Sequence, residues 1–384
     1  MKVALVHDWL TGMRGGERCL EVFCELFPGA DLYTLVHRRG AMSDTIERMA
    51  IHTSWLQRLP RIASYYRHLL PLFPLAIRQF HLTGYDLILS SSHAVAKGVR
   101  RQGSFRHICY CFTPMRYIWD QSPAYFPRDN FSPLTWALLQ ALFRGLRAWD
   151  VKTARGVDEF VAISTNIARK IQAYYNRHAC VIPPPVDCEF FAPERFPDRQ
   201  DVPCYLIVSA LVPYKRLDIA IEAFNRLRLP LVIIGVGPER PKLERAAAPH
   251  IRFLGWQPDE VVRDHYRRCA ALIFPGEEDF GIVPLEAQAC GRPVIALGKG
   301  GALETVIPLN PRGEAQSGPF HPPTGIFFYE ESAEALSEAV RLYRQQAHIF
   351  DPHVARQNAL SFDRPVFKNT MRTFLAEKLG VPID

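Results

Sequence analysis

The chain has 384 residues, 48% hydrophobic and 22% charged, which is the balance of a folded globular protein and not of a fibrous or disordered one. That length exceeds one ordinary core, so two domains are expected. A formal net charge of +7 suits an anionic partner such as a nucleotide, a lipid phosphate or a membrane surface. With no Lys/Arg run and no RNA-binding motif, nucleic acid is not the expected partner. Nine cysteines, odd in number and scattered, make no disulfide framework and point to a reducing cytoplasm. No run of about 18 apolar residues occurs, so no membrane span is expected. The apolar start at residues 3–6 is too short for a signal peptide.

Residues 3–6 read as a buried strand, 7–16 as the loop after it, and 17–27 as a helix with Cys19, Val22, Phe23 and Leu26 at helical spacing. A strand, a Gly15-Gly16 turn and a helix commonly bring backbone close to a phosphate. The Rossmann spacing is absent, so a plain tight turn fits these residues as well. Residues 51–80 interleave Trp55, Tyr65, Tyr66 and Phe73 with Arg58, Arg61, Arg67 and Arg78, and are cut by Pro60, Pro71 and Pro74. Such a surface suits a bilayer interface with anionic head groups, and it equally suits helices packed on the first sheet with solvated Arg heads. Residues 85–90 form the next strand, ending in Ser91-Ser92-His93. His107, Cys109 and Cys111 share a face of the strand that follows, but no fourth ligand is near, so a buried strand is favoured over a metal site. After it come Phe112 and Thr113-Pro114-Met115-Arg116, where Arg116 could meet an acceptor phosphate or pair with Asp120 at i,i+4. Residues 134–153 read as a long amphipathic helix bearing Arg144, Arg147 and Lys152. Residues 159–164 are strand-like, with Ser164 as a cap for the next helix, and 193–203 read as a linker.

From there strands and helices alternate closely, at 205–209, 217–227, 231–235, 241–248, 251–254, 259–269 and 270–274, which implies a parallel, doubly wound sheet. The most informative stretch, residues 274–297, follows. Pro275-Gly276 breaks a buried strand, and Phe280-Gly281 keeps the backbone irregular. Pro284 suits the first helical position and Gly291 the residue past the helix end. Glu278 and Glu286, separated by seven residues, frame the turn near the carboxyl ends of parallel strands, where open α/β sheets bind ligands. The amides of Gly281, Ile282 and Val283 are placed to meet an anion. A Gly-rich turn at 298–301 opens another helix with Glu304. Residues 308–323 are a long Pro/Gly loop, 332–346 a helix capped by Ser332, and 361–379 a terminal helix.

Glu278-x7-Glu286, set in Glu-Asp-Phe-Gly-x-x-Pro-Leu-Glu-Ala, resembles the signature of the large retaining glycosyltransferase family 4, whose members include bacterial mannosyltransferases of surface-polysaccharide assembly. The resemblance implies the GT-B fold: two Rossmann-like α/β domains of doubly wound parallel sheets with a cleft between them. The expected layout is an acceptor-binding domain at 1–192, a linker at 193–203, a nucleotide-sugar domain at 204–360 and a helix at 361–384 crossing back to the first domain. It assigns Glu286 to the ribose hydroxyls, Glu278 to the donor sugar, and Lys215 to the departing diphosphate, where negative charge builds. Gly15, Gly16, Phe280 and the amides of Gly281, Ile282 and Val283 would lie on the donor, and His93 would touch its sugar. Two positions depart from the family pattern: Ala210 stands where an Arg is usual and Phe112 where close relatives often have His. Arg216 could restore the missing charge. By the same resemblance the enzyme is a metal-independent, configuration-retaining hexosyltransferase with no cofactor beyond its nucleotide sugar. GDP-mannose is the favoured donor, and a glycan or polyprenyl-diphosphate-linked oligosaccharide the acceptor. The protein is expected in the cytoplasm, with its first domain in contact with the inner face of the plasma membrane. The alternatives are a UDP-sugar donor or a catalytically silent nucleotide- or glycan-binding subunit supporting a partner transferase.

Overall fold

A computed structural model describes residues 1–194, 204–309 and 322–383. Its first sheet is built from Val3–His7 (β1), Asp31–Thr34 (β2), Ala50–Thr53 (β3), Leu87–Ser92 (β4), Arg106–Cys111 (β5), Glu159–Ala162 (β6) and Ala179–Val181 (β7), in the order β3-β2-β1-β4-β5-β6-β7. The second contains Tyr205–Val208 (β8), Leu231–Ile234 (β9), Ile251–Gly255 (β10), Leu272–Phe274 (β11), Val294–Leu297 (β12) and Gly325–Phe328 (β13), in the order β10-β9-β8-β11-β12-β13. Every neighbouring pair is parallel. Strands β1, β4, β9 and β12 are buried at every position, as strands covered on both faces must be. Both sheets are therefore the doubly wound α/β type that the alternation of elements implies. Strand order reverses between β1 and β4 in one sheet and between β8 and β11 in the other. At such switch points the loops beyond the carboxyl ends diverge and leave room for a ligand.

The chain divides into one unit of residues 1–184 with 367–384 and a second of residues 185–366. The first boundary thus falls before the expected residue 192. The Val186 amide donates to the Phe362 carbonyl (2.9 Å) and the Arg364 amide to the Val186 carbonyl (3.0 Å), which ties both segments to the second unit. The last helix, Arg364–Leu379, enters the first unit at Phe367, whose ring stands 5.8 Å from Phe23, and Lys368 pairs with Glu25 at 3.0 Å. Residues 195–203 of the expected linker and 310–321 of the expected loop lie outside the described residues.

Capping follows the sequence closely. Ser164 accepts the Ile167 amide and Ser332 the Ala335 amide. The long helix expected at 134–153 is present as Pro133–Ala154, with Arg144 and Lys152 exposed. Its inner face carries Phe143, Leu146, Asp150 and Ala154. Asp150 is fully buried and ion-paired with Lys97, and it also accepts the Trp119 indole N–H (2.9 Å) and the Tyr175 hydroxyl (2.8 Å). Arg147 turns inward and donates to the Ile118 carbonyl. Leucines hold the outer face. Among the described residues no helix is long and apolar enough to cross a membrane.

His107 on β5 is buried and shares a 2.9 Å hydrogen bond with Ser90. Burial pushes its imidazole from 6.5 down to about 4, against the opposing pull of Asp158. The unfolded chain therefore takes up this proton first as pH falls. The contribution to stability is complete above 6.5 and is lost as pH drops towards 4, amounting to about 3 kcal/mol. His107→Gln is expected to flatten the fall in urea-unfolding midpoint across that window; an unchanged slope would mean that His107 does not titrate there.

Candidate functional site

In the second unit, three loops at strand ends pack backbone against backbone. After β8 the chain makes a single 3-10 turn, Pro213–Lys215, and after β11 it makes the irregular loop that carries Glu278. The Lys215 ammonium is ion-paired with the Glu278 carboxylate, and both side chains are largely withdrawn from solvent, at 18% and 15% exposure. Glycine permits this approach. A Cβ on Gly276 would lie 2.8 Å from Lys215 Cα, and one on Gly300 would lie 2.3 Å from the Glu278 carbonyl oxygen. The Gly301 amide donates to that same oxygen at 2.8 Å, so the loop after β12 clamps the Glu278 backbone. Phe280 is buried beneath, its ring 5.8 Å from Phe362.

The helix that follows, Ile282–Ala289, begins two residues before the expected Pro284. Gly281, at φ +107°, serves as N-cap, a conformation that a side chain would strain. Pro284 is still within the first turn, where its missing N–H removes no bond. Ile282 and Val283 are thus the first two helical residues, whose amides lack carbonyl partners within the helix. Glu286 sits one turn on and accepts a 2.9 Å hydrogen bond from the hydroxyl of fully buried Tyr266. Burial, and then the neighbouring Glu286 charge, raise the Tyr266 phenol far above its usual value, so it remains a donor. Sequence reasoning missed Tyr266, since a core aromatic on the Asp259–Arg268 helix has no local mark of such a role.

Arg216 is not aligned with Lys215. It takes a left-handed conformation (φ 52°) and its guanidinium binds Asp218 (3.2 Å) and Glu331 (2.6 Å). Lys299, from the loop after β12, shares Glu331 at 2.8 Å. The charge expected to replace an Arg at Ala210 is therefore already matched by two carboxylates.

In the first unit the switch point is built on Asp8, which follows β1 and is fully buried. Its carboxylate accepts four backbone N–H groups, from His93 (2.7 Å), Ala94 (3.0 Å), Val95 (2.6 Å) and Ala96 (2.7 Å). His93 Nδ1 lies 3.1 Å from the same carboxylate. Because a carboxylate so placed only accepts, the proton is assigned to Nδ1 and Nε2 is left as the acceptor. Burial lowers the His93 imidazole to about 4, opposed by Asp8. Its ring meets Trp9 edge-on at 4.3 Å and Phe112 at 6.3 Å. His7, also buried, shares a 2.7 Å hydrogen bond with Ser91 and faces Glu17 at 3.9 Å. Burial alone would raise the Glu17 carboxyl, yet His7 holds it below the usual range. Gly15 and Gly16 open the Gly15–Leu26 helix instead of preceding it, and Gly16 leaves 3.5 Å between the place of its absent Cβ and the Phe112 ring. Asp8, His7 and Glu17 were not singled out in the sequence; the only available signal was a charged pair directly after a buried strand. Asp120, a possible mate for Arg116, binds Lys170 at 2.5 Å. Among the described residues no group of three His, Cys, Asp or Glu is placed to hold a metal ion.

Residues 15–190 match the family model described as Glycosyltransferase Family 4, and residues 190–353 match that described as Glycosyl transferases group 1. Together they span most of the chain, which belongs to the family 4 glycosyltransferases and has their GT-B fold. Over 180 residues it is 33% identical to a D-inositol 3-phosphate glycosyltransferase of Geodermatophilus obscurus, covering 39% of this chain and 40% of that protein. Over 152 residues it is 36% identical to a GDP-mannose-dependent alpha-(1-6)-phosphatidylinositol monomannoside mannosyltransferase of Mycolicibacterium smegmatis, covering 33% of this chain and 40% of that protein. The chain thus spans less than half the length of these relatives. The sucrose-phosphate synthase of Thermosynechococcus elongatus shares the fold, with a TM-score of 0.73, 16% identity and coverage of 99% of this chain and 100% of that one.

The close approach at Gly276 gives a direct test of how the loops are held. Gly276→Ala is expected to destabilise the second unit by about 1–3 kcal/mol, because the added methyl meets backbone that cannot swing away. Gly29→Ala, where the space is open, should be near neutral. Equal urea midpoints for the two variants would refute the close packing.

Proposed function

We propose that the protein is a retaining hexosyltransferase that moves a sugar, mannose from GDP-mannose before others, onto a hydroxyl of a growing polyprenyl-diphosphate-linked glycan in surface-polysaccharide assembly. It would work without a metal, at the inner face of the plasma membrane. The observation that carries this reading is the Lys215–Glu278 pair at the switch point of the second sheet, with Glu286 one turn into the helix that follows the Glu278 loop.

In the proposed reaction the bond from the anomeric carbon to the diphosphate breaks, and negative charge builds on the leaving oxygens. Lys215 has three N–H donors, enough to hold Glu278 and a phosphate oxygen together. The amides of Ile282 and Val283, with Gly281 before them, favour an anion at the helix start. Glu278, fixed through its carbonyl by Gly301, is assigned to the donor-sugar hydroxyls. Glu286, turned by Tyr266, is assigned to the ribose hydroxyls, which the two oxygens of a carboxylate suit. His93 is assigned to the sugar from the first unit, and Gly15 and Gly16 to the diphosphate. Arg216 is left out of the leaving-group role because Asp218 and Glu331 occupy it. The name of the mycobacterial relative supports GDP-mannose as donor.

Ala210 and Phe112 favour a second reading, a silent nucleotide- or glycan-binding subunit that supports a partner transferase. Donor hydrolysis screened across GDP-, UDP- and ADP-sugars separates the readings. GDP-mannose turnover above the others is the expected result. A clear UDP-sugar preference would overturn the mannose assignment, and nucleotide binding without turnover on any acceptor would favour the silent subunit.

A further inference from the structure

Along the Ile282–Ala289 helix one side chain stands apart. From Pro284 to Gly291 every residue is buried except Glu286, which is half-buried. Its carboxylate therefore sits where this helix opens outward, and what holds it there decides what it can bind. A glutamate turns about several side-chain bonds, so an unanchored carboxylate at such a rim samples many positions. The Tyr266 hydroxyl supplies an anchor from the core, donating to Glu286 Oε2 at 2.9 Å.

The anchor is itself fixed. Tyr266 is fully buried, and its ring meets Phe191 edge-on at 5.8 Å. Its carbonyl accepts the Cys269 thiol at 3.3 Å. The next residue, Arg267, donates to the Ala192 carbonyl at 2.7 Å, and Arg292 donates to the Arg267 carbonyl. The phenol also stays protonated, since burial and the Glu286 charge both oppose its ionisation. It takes one lone-pair site of the carboxylate and sets the plane in which the others lie. Two acceptor oxygens in a fixed plane suit a vicinal diol, whose hydroxyls donate side by side. They do not suit a ring carbon that carries only hydrogen.

We propose that Tyr266 is a positioning residue that makes the donor site select ribonucleotide sugars over 2′-deoxyribonucleotide ones. The inference rests on the assignment of Glu286 to the ribose hydroxyls and adds what aims the carboxylate at them. Held by Tyr266, Glu286 is satisfied by a ribose through both hydroxyls, whereas a 2′-deoxyribose leaves part of a half-buried charge facing a carbon. A site built around hydroxyl donors rejects the analogue that lacks one far more strongly than an apolar pocket rejects an added methylene. Released from Tyr266, the carboxylate follows whichever hydroxyl is present, and the selection is lost. GDP- and UDP-sugars thus fall inside the donor class and dTDP-sugars outside it.

Calorimetric titration of the full chain with GDP, 2′-deoxy-GDP, UDP and 2′-deoxy-UDP tests this without turnover. The parent is expected to bind its preferred ribonucleotide about tenfold or more tighter than the deoxy counterpart. Tyr266→Phe removes the hydroxyl and keeps the ring. It is expected to weaken the ribonucleotide about tenfold and the deoxy form hardly at all. In steady state the same variant should raise KM for the nucleotide sugar more than it lowers kcat. In a Glu286→Ala background, adding Tyr266→Phe should leave the ribo-to-deoxy ratio where it was. A ratio unchanged from the parent's in Tyr266→Phe alone, whether both forms weaken or neither does, would overturn the proposal. A parent that binds the two forms alike, or neither, would instead overturn the ribose assignment of Glu286, and this inference with it.

Discussion

The reaction proposed for the second unit depends on one close approach, the pairing of Lys215 with Glu278 across loops that leave β8 and β11. Those strands are neighbours in the sheet, but the chain runs from β8 through β9 and β10 before returning to form β11. The reversal of order therefore brings together two residues far apart in sequence, one cationic and one anionic. Gly276 and Gly300 let the backbones close to distances that any side chain would forbid. The pair is thus a product of topology and of missing Cβ atoms, as much as of its own charges. Pairing in a site sheltered from water also matters electrostatically, because an ammonium there acts more strongly on a nearby phosphate than it would at an exposed position.

The first unit solves the equivalent problem in another way. Its switch point also brings an acid after one strand against a residue after another, Asp8 against His93. Here four backbone amides donate to the carboxylate. Asp8 is therefore a fixed element that holds the turn after β4 and orients an imidazole, whereas Glu278 faces the ammonium of Lys215. The neutral state of His93, enforced by burial, suits a hydrogen-bonding role and not a charged one.

Much of this was legible in the chain. Strands β1, β4, β8 and β9 are short apolar runs with turn signals at their ends, so parallel pairing could be read directly. Glu278, Glu286 and Lys215 were legible because Pro and Gly mark the loops around them. Strands β2, β3 and β7 were not seen: they are three or four residues long, and their outer positions are half-exposed. Helix starts were misplaced where glycine could occupy either the cap or the first turn, at Gly15 and Gly281. The long helix shows a deeper limit. Periodicity revealed two faces, but only tertiary packing, with Lys97 reaching Asp150, shows that the leucine-bearing face is the outer one. Tyr266 and Asp8 stayed hidden for a related reason, since each acts through a hydrogen bond made by residues distant in sequence.

The most direct measurement is a double-mutant cycle on Lys215 and Glu278, with Lys215→Ala, Glu278→Gln and the pair together, read as kcat/KM with the preferred nucleotide sugar. If the two act as one unit on the donor, each single change lowers kcat/KM by about 100-fold or more, and the double variant falls little further than either. Near-parental activity in either single variant, or losses that simply multiply, would contradict the assignment of this pair as the reacting centre.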